Sequence, residues 1–381
     1  MKKIDLPGCR SSKSTVTRKA RCTGLALSLL VAVSLAATTA AQTGPDRLLW
    51  PEMLKEAGLR IVWHSDLPLV KGEKLDRLIV LKDRLYGLTD RNYLFSLDRT
   101  TGKTVFSRSF AAPGLVVLGF SLYRDRVLSV VGNELIELDP NSGATTLSKG
   151  MEFGVSCLPA RNDSFYYVPG VDGRLRAFRV ADRVKMFEAA APSRSAITAV
   201  AAEQDMVAFA TAVGEIIVIR PDAPQMLWQF KAGDRVTEPI TAEGQVLFAA
   251  SADTYVYRLD TRRPIRPVWR CQVPALLSRG PMVSRDAVYQ PIDDKGIVAI
   301  DKTTGSALWK LENAVAVLAE TAEAGYVLKK PAQLVVVNRK TGKSLRSVNF
   351  APVRVYAVNP NDSRLYVADD RGRILCLVPL E

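Results

Sequence analysis

Side chains able to do chemistry are few in this chain of 381 residues, and they do not gather. His64 is the single histidine. That rules out a site needing two imidazoles and leaves one candidate for imidazole acid–base work, the other reading being a plain strand-end residue. Three cysteines follow residue 41, and Cys157, Cys271 and Cys376 lie so far apart that we expect buried free thiols rather than a disulfide. Asp293-Asp294 and Asp369-Asp370 are acidic pairs, but the run DDKG from residue 293 reads as a turn rather than the oxygen cage Ca²⁺ takes. No Gly-x-Ser-x-Gly, phosphate-binding loop or dinucleotide fingerprint occurs. The sequence therefore nominates no catalytic residue and no metal ligand.

One cluster of charge stands apart. Arg258, Arg262, Arg263, Arg266 and Arg270 fall within thirteen residues, stiffened by Pro264 and Pro267. It reads either as a solvated loop or as a patch able to grip carboxylate or phosphate; it is the chain's partner-binding candidate, since crowded guanidinium groups repel one another unless anions offset them.

The elements that position these residues are repeats. Residues 296–309, GIVAIDKTTGSALW, hold a glycine, an alternating run, a tight Asp-Lys-Thr-Thr-Gly reversal and a second run ending in tryptophan. Such a stretch spells a β-hairpin, with Asp301 folding back onto main-chain N–H groups and Gly305 free to take positive φ. Aligning the turn residue gives Asp98, Asp139, Arg179, Arg220, Asp260, Asp301, Asn338 and Val378, spaced 41, 40, 41, 40, 41, 37 and 40 residues apart. Gly102, Gly143, Gly305 and Gly342 follow four residues on, and Phe106, Leu147, Phe187, Trp228, Trp269, Trp309 and Arg346 at or beside the eighth. Six residues before the turn, Asn92, Asn133, Gly173, Gly214 and Gly372 tolerate positive φ at the preceding hairpin. A period near 40 with strands and no helical pattern predicts propeller blades.

The segments DRTTGKTVF, DKTTGSALW and NRKTGKSLR match the blade pattern of the PQQ-like β-propeller repeats, which the chain resembles over roughly residues 60–380. That family holds quinoprotein dehydrogenases and non-catalytic assembly factors such as BamB. The resemblance implies that Trp63, Trp228, Trp269 and Trp309 dock between neighbouring blades. Its quinone enzymes use an adjacent cysteine pair and Ca²⁺ held by carboxylates and an amide, in chains usually much longer; no adjacent cysteines occur here, so we expect no cofactor. Repeats between residues 178 and 266 lack the Thr-Gly, so differently shaped turns are expected there.

Residues 1–41 read as an export leader: a basic start, an apolar run over 25–35 and a small-residue zone over 36–41, with an uncleaved anchor as the alternative. Cys22 precedes the apolar run, so it is not a lipid-acylation site of the kind that anchors BamB-type factors. Of 52 basic and 39 acidic residues, seven and one lie in the leader, leaving 45 and 38, an excess that demands no nucleic acid. Residues 42–59 form an N-terminal segment with a short helix over 51–57, Pro51 in its first turn and Gly58 at its end. Residues 60–381 are the propeller. Strands over 353–358, 365–368 and 373–378 lack a fourth, which residues 60–63 would supply, closing an eight-bladed all-β ring. Seven blades is the alternative, should residues 153–180 not complete one.

The expected function is an exported, non-catalytic protein-binding or scaffolding module of the periplasm or cell exterior, facing an envelope protein or anionic envelope component. The alternative is a propeller enzyme, quinoprotein-like oxidoreductase or hydrolase, whose channel gathers carboxylates from several blades.

Overall fold

The computed structural model describes residues 48–262, 266–360 and 362–380. The leader expected over 1–41, and Arg263 and Pro264 of the arginine cluster, lie outside the described residues. Eight four-stranded antiparallel sheets make the blades of a β-propeller. Seven are built from consecutive strands, over 75–109, 117–150, 160–190, 197–231, 241–272, 282–311 and 314–349. The degenerate stretch does complete its blade, although its innermost strand is only Ala160–Arg161.

The eighth blade closes the ring as expected. Strand Leu59–Asp66 takes the outermost place beside Arg373–Pro379, with Trp63 opposite Cys376. The closing strand runs further than residues 60–63, so His64 lies inside it, exposed and paired with Leu375, rather than after it. Each apolar cluster spans two neighbouring blades: Tyr86 and Leu94 of the first pack with Phe120 and Val127 of the second, for example. Burial between blades, not within one, thus holds the ring.

Helix α1 (Pro51–Glu56) starts on proline and ends before Gly58, whose φ is +70°. Leu49 and Leu54 are buried, with Met53 packed beside them, against Val348 and Phe350 of the seventh blade and Val353 and Leu377 of the eighth. The helix therefore serves as a packing cap. No helix among the described residues is long and apolar enough to cross a membrane.

The repeated turn has a uniform chemistry. Asp301 Oδ1 accepts from Thr303 N at 3.0 Å, Thr304 N at 2.7 Å and Thr304 Oγ1 at 2.9 Å. Asp98, Asp139 and Asn338 make the same three bonds. The third blade corrects the expectation of a different turn: Arg183 occupies the glycine place with φ +64°, and its N–H still reaches Arg179 O at 2.8 Å. The fourth-blade turn is closed by the outer backbone bond, Arg220 N to Gln225 O at 3.0 Å, and by Arg220 gripping Asp222, since Pro224 has no N–H to give. At the preceding hairpins Asn92, Gly173, Gly214 and Gly372 take positive φ, but in the second blade Gly132 (φ +56°) does so instead of Asn133. Asn133 uses its side chain, accepting from Val155 N at 3.1 Å and donating to Met151 O.

Candidate functional site

Most residues nominated from the sequence are framework. A Cβ on Gly102 would lie 2.4 Å from the Trp63 ring, and Gly143, Gly305 and Gly342 stand as close over Phe106, Trp269 and Trp309. The indole N–H groups of Trp63, Trp269 and Trp309 donate to Arg99 O, Lys302 O and Arg339 O at 3.1, 3.0 and 2.7 Å. Each ring is thereby fixed to the turn of the next blade. Trp228 is equally buried, but its N–H has no partner among the described residues.

The acidic pairs are committed to turns and to basic side chains, Asp370 facing Lys74 at 3.7 Å. Asp293 takes bonds from Ser278 Oγ and Arg279 Nη2, Asp294 pairs with Lys330 Nζ at 2.9 Å, and Asp369 binds Arg371 N, Arg373 N and Arg373 Nε. No group of three His, Cys, Asp or Glu that could hold a metal ion occurs among the described residues. Cys157, Cys271 and Cys376 are free and buried, and burial raises each thiol's pKa. Cys271 belongs to the outermost strand of the fifth blade, Trp269–Gln272. These thiols and carboxylates do not fit the quinone–calcium site that the family's enzymes use.

Sequence reasoning missed the buried carboxylates. Glu137 accepts from Tyr166 Oη at 2.6 Å and Arg161 Nη1 at 2.5 Å, and Glu320 accepts from Tyr289 Oη at 2.6 Å and Arg339 Nη1 at 3.4 Å. Both join adjacent blades. Arg99 does the same between the first and eighth, reaching Tyr366 Oη at 3.0 Å and Asp362. No local motif marks them, because the tyrosine each one binds, and the residues Arg99 reaches, lie on a different repeat. Glu238 is different: its Oε1 faces Leu158 N at 3.5 Å, a contact from the fifth blade to the third that bypasses the fourth. Burial raises its pKa.

The arginine cluster separates. Arg258, on strand Tyr255–Asp260, reaches toward the sixth blade and donates to Thr303 O at 3.3 Å. Arg262 is held by Asp260 through Nε and Nη2, at 3.0 and 2.8 Å. Arg266 and Arg270 come together at a cleft of about 560 Å³ between the fourth and fifth blades. Its floor is aromatic: Phe230 and Tyr257 meet edge to face at 5.1 Å, and Tyr255 lies 6.0 Å from Tyr257. The Arg270 guanidinium sits 4.9 Å above the Tyr255 ring.

The family model described as outer membrane protein assembly factor BamB matches residues 97–229 and 224–378. Among solved structures, BamB from Moraxella catarrhalis aligns with a TM-score of 0.64 at 17% identity, over 84% of this chain and 97% of that one. The computationally designed Ika8 protein aligns with a TM-score of 0.65 at 13% identity, over 82% and 98%. Both likenesses bear on the fold. No curated protein matches the sequence.

Proposed function

We propose, from the premise that this chain belongs to the PQQ-like propeller family of the outer membrane protein assembly factor BamB, that it is a non-catalytic protein-binding or scaffolding module of the cell envelope. The observation that carries the reading is the engagement of its carboxylates: they are bound by turn amides, as Asp98 and Asp301 are, or by arginines and tyrosines of the same or an adjacent blade, as Glu137 and Glu320 are. What remains for recognition is the rim, where loops vary without disturbing the framework. The leader supports export to the periplasm or cell exterior, with membrane association only if it stays attached.

The test uses the full chain, tagged at its C-terminus and recovered from the envelope fraction of its own host after chemical cross-linking. An envelope protein recovered in fixed stoichiometry is expected. Supplying the purified chain with PQQ and Ca²⁺ should give neither saturable quinone binding nor dye-linked oxidation of alcohols or sugars. Binding with turnover would overturn the reading in favour of an enzyme.

A further inference from the structure

The cleft between the fourth and fifth blades differs from its counterpart between the second and third in where its aspartate is used. In the counterpart, Asp172 grips Arg176 through both oxygens, the Nη1 bond being 3.0 Å and the Nη2 bond 2.5 Å, so a cation facing the cleft is neutralised from within. The equivalent positions of the fifth blade are Asp253 and Tyr257. Asp253 accepts from Gly233 N at 2.6 Å, Tyr257 Oη at 2.6 Å and Tyr255 N at 3.0 Å, which occupies both its oxygens with neutral donors. Arg266 and Arg270 are exposed on the cleft and have no carboxylate partner among the described residues. Elsewhere on the rim, arginines such as Arg124, Arg220 and Arg279 are paired with aspartates.

The wall carrying Arg270 is an edge. Strand Trp269–Gln272 pairs on one side with Tyr255–Asp260 and on the other with no strand among the described residues. Its burial alternates: Trp269 and Cys271 are buried, while Arg270 and Gln272 are exposed. A peptide laid along this edge finds main-chain donors and acceptors beside an aromatic floor, with guanidinium groups at its rim. A phosphate or a sugar acid would meet the charges but make no use of the edge.

We propose that this cleft is a docking groove for an extended, acidic peptide segment of a partner protein, whose carboxylates pair with Arg266 and Arg270 and whose aromatic side chain packs against Phe230 and the part of Tyr255 that Arg270 leaves uncovered. The proposal rests on the protein-binding reading and names the chemistry of the partner. Planar guanidinium groups suit carboxylates because they offer paired donors, and the stacking of Arg270 on Tyr255 holds one in place.

The test is calorimetric titration of the full chain with the blocked pentapeptide Glu-Phe-Glu-Phe-Glu, its counterpart with Gln for every Glu, and inorganic phosphate. The acidic peptide should bind, more weakly at about 0.15 M salt than at low salt because exposed charges are screened. The double variant Arg266→Ser/Arg270→Ser should weaken binding roughly tenfold or more, the loss expected of charge-assisted hydrogen bonds. Arg262→Ser should leave binding unchanged, because Asp260 already holds that side chain. Circular dichroism and the unfolding midpoint report on folding of each variant. Equal binding of the Gln peptide, equal binding by the double variant, or full competition by phosphate would overturn the proposal. If the acidic peptide fails to bind while an envelope protein still co-purifies with the double variant, the groove assignment falls and the protein-binding reading survives.

Discussion

Trp63, on the strand that comes from the N-terminal side of the chain, packs directly beneath Gly102 of the first blade, where a Cβ would lie 2.4 Å from its ring. Gly102 also has φ +73°, so a side chain there meets both a ring and an unfavourable backbone conformation. Gly102→Ala should cost about 1–2 kcal/mol from the backbone alone, and more once the indole is displaced. Trp63→Ala should cost about 3–5 kcal/mol, as for other buried aromatic truncations. Denaturant unfolding of both variants and of the pair provides the check. The double variant should lose less than the two single losses combined, because both act on one contact.

Ring closure depends on the same strand. Deleting residues 46–66 removes the partner of Arg373–Pro379 together with α1, uncovering Val348, Phe350 and Leu377. A strongly lowered thermal midpoint is expected. A midpoint equal to that of the full chain would mean that the strand is dispensable and the eighth blade stands with three strands.

The turn aspartates predict an acid limit to stability. Backbone and hydroxyl bonds from Thr304 hold the pKa of Asp301 below its ordinary value of 3.8. A carboxyl whose folded pKa is lowered contributes stability that is present above the unfolded value and is lost as pH falls through the folded one. Asn338 makes the same bonds in the seventh blade without a charge. Asp301→Asn should therefore leave the midpoint near neutrality almost unchanged and flatten its fall below about pH 4. Thermal melts across pH measure this; a large loss at neutral pH would show that the charge itself holds the turn.

The blades were legible because a turn needs the same atoms each time. Asp98, Gly102 and Trp63 report a geometry that recurs with the repeat, so spacing revealed both the hairpins and the missing strand. Arg183 was not legible as the turn residue it is, since its backbone adopts the glycine conformation with only the surrounding bonds to enforce it. The arginine cluster was visible as charge but not as a cleft. Its division depends on Asp260 capturing Arg262, Thr303 O receiving Arg258, and aromatic residues of two blades meeting beneath Arg270. Glu137, Glu320 and Glu238 had no signal because Tyr166, Tyr289 and Leu158, which contact them, are contributed by other repeats.

Reading residues 1–41 as an export leader makes a prediction about processing. Cleavage near Ala41 should leave Gln42 or a neighbour at the mature N-terminus, because the small-residue zone ends there. The intact mass of protein taken from the envelope reads this out directly. A mass retaining residues 1–41 would make the chain a membrane-anchored propeller.

The central claim, that this propeller binds a protein rather than transforming a substrate, is tested most directly by photocross-linking in the host envelope. The photoreactive residue p-benzoylphenylalanine is placed at Val268, an exposed side chain beside the cleft, and in a second variant at Leu308, an exposed position on the sixth blade. The account predicts one discrete envelope protein cross-linked from position 268, little from position 308, and loss of the adduct when Arg266 and Arg270 are replaced by serine. A folded chain that gives no protein adduct from position 268, yet turns over a substrate on addition of a quinone and Ca²⁺, would contradict it.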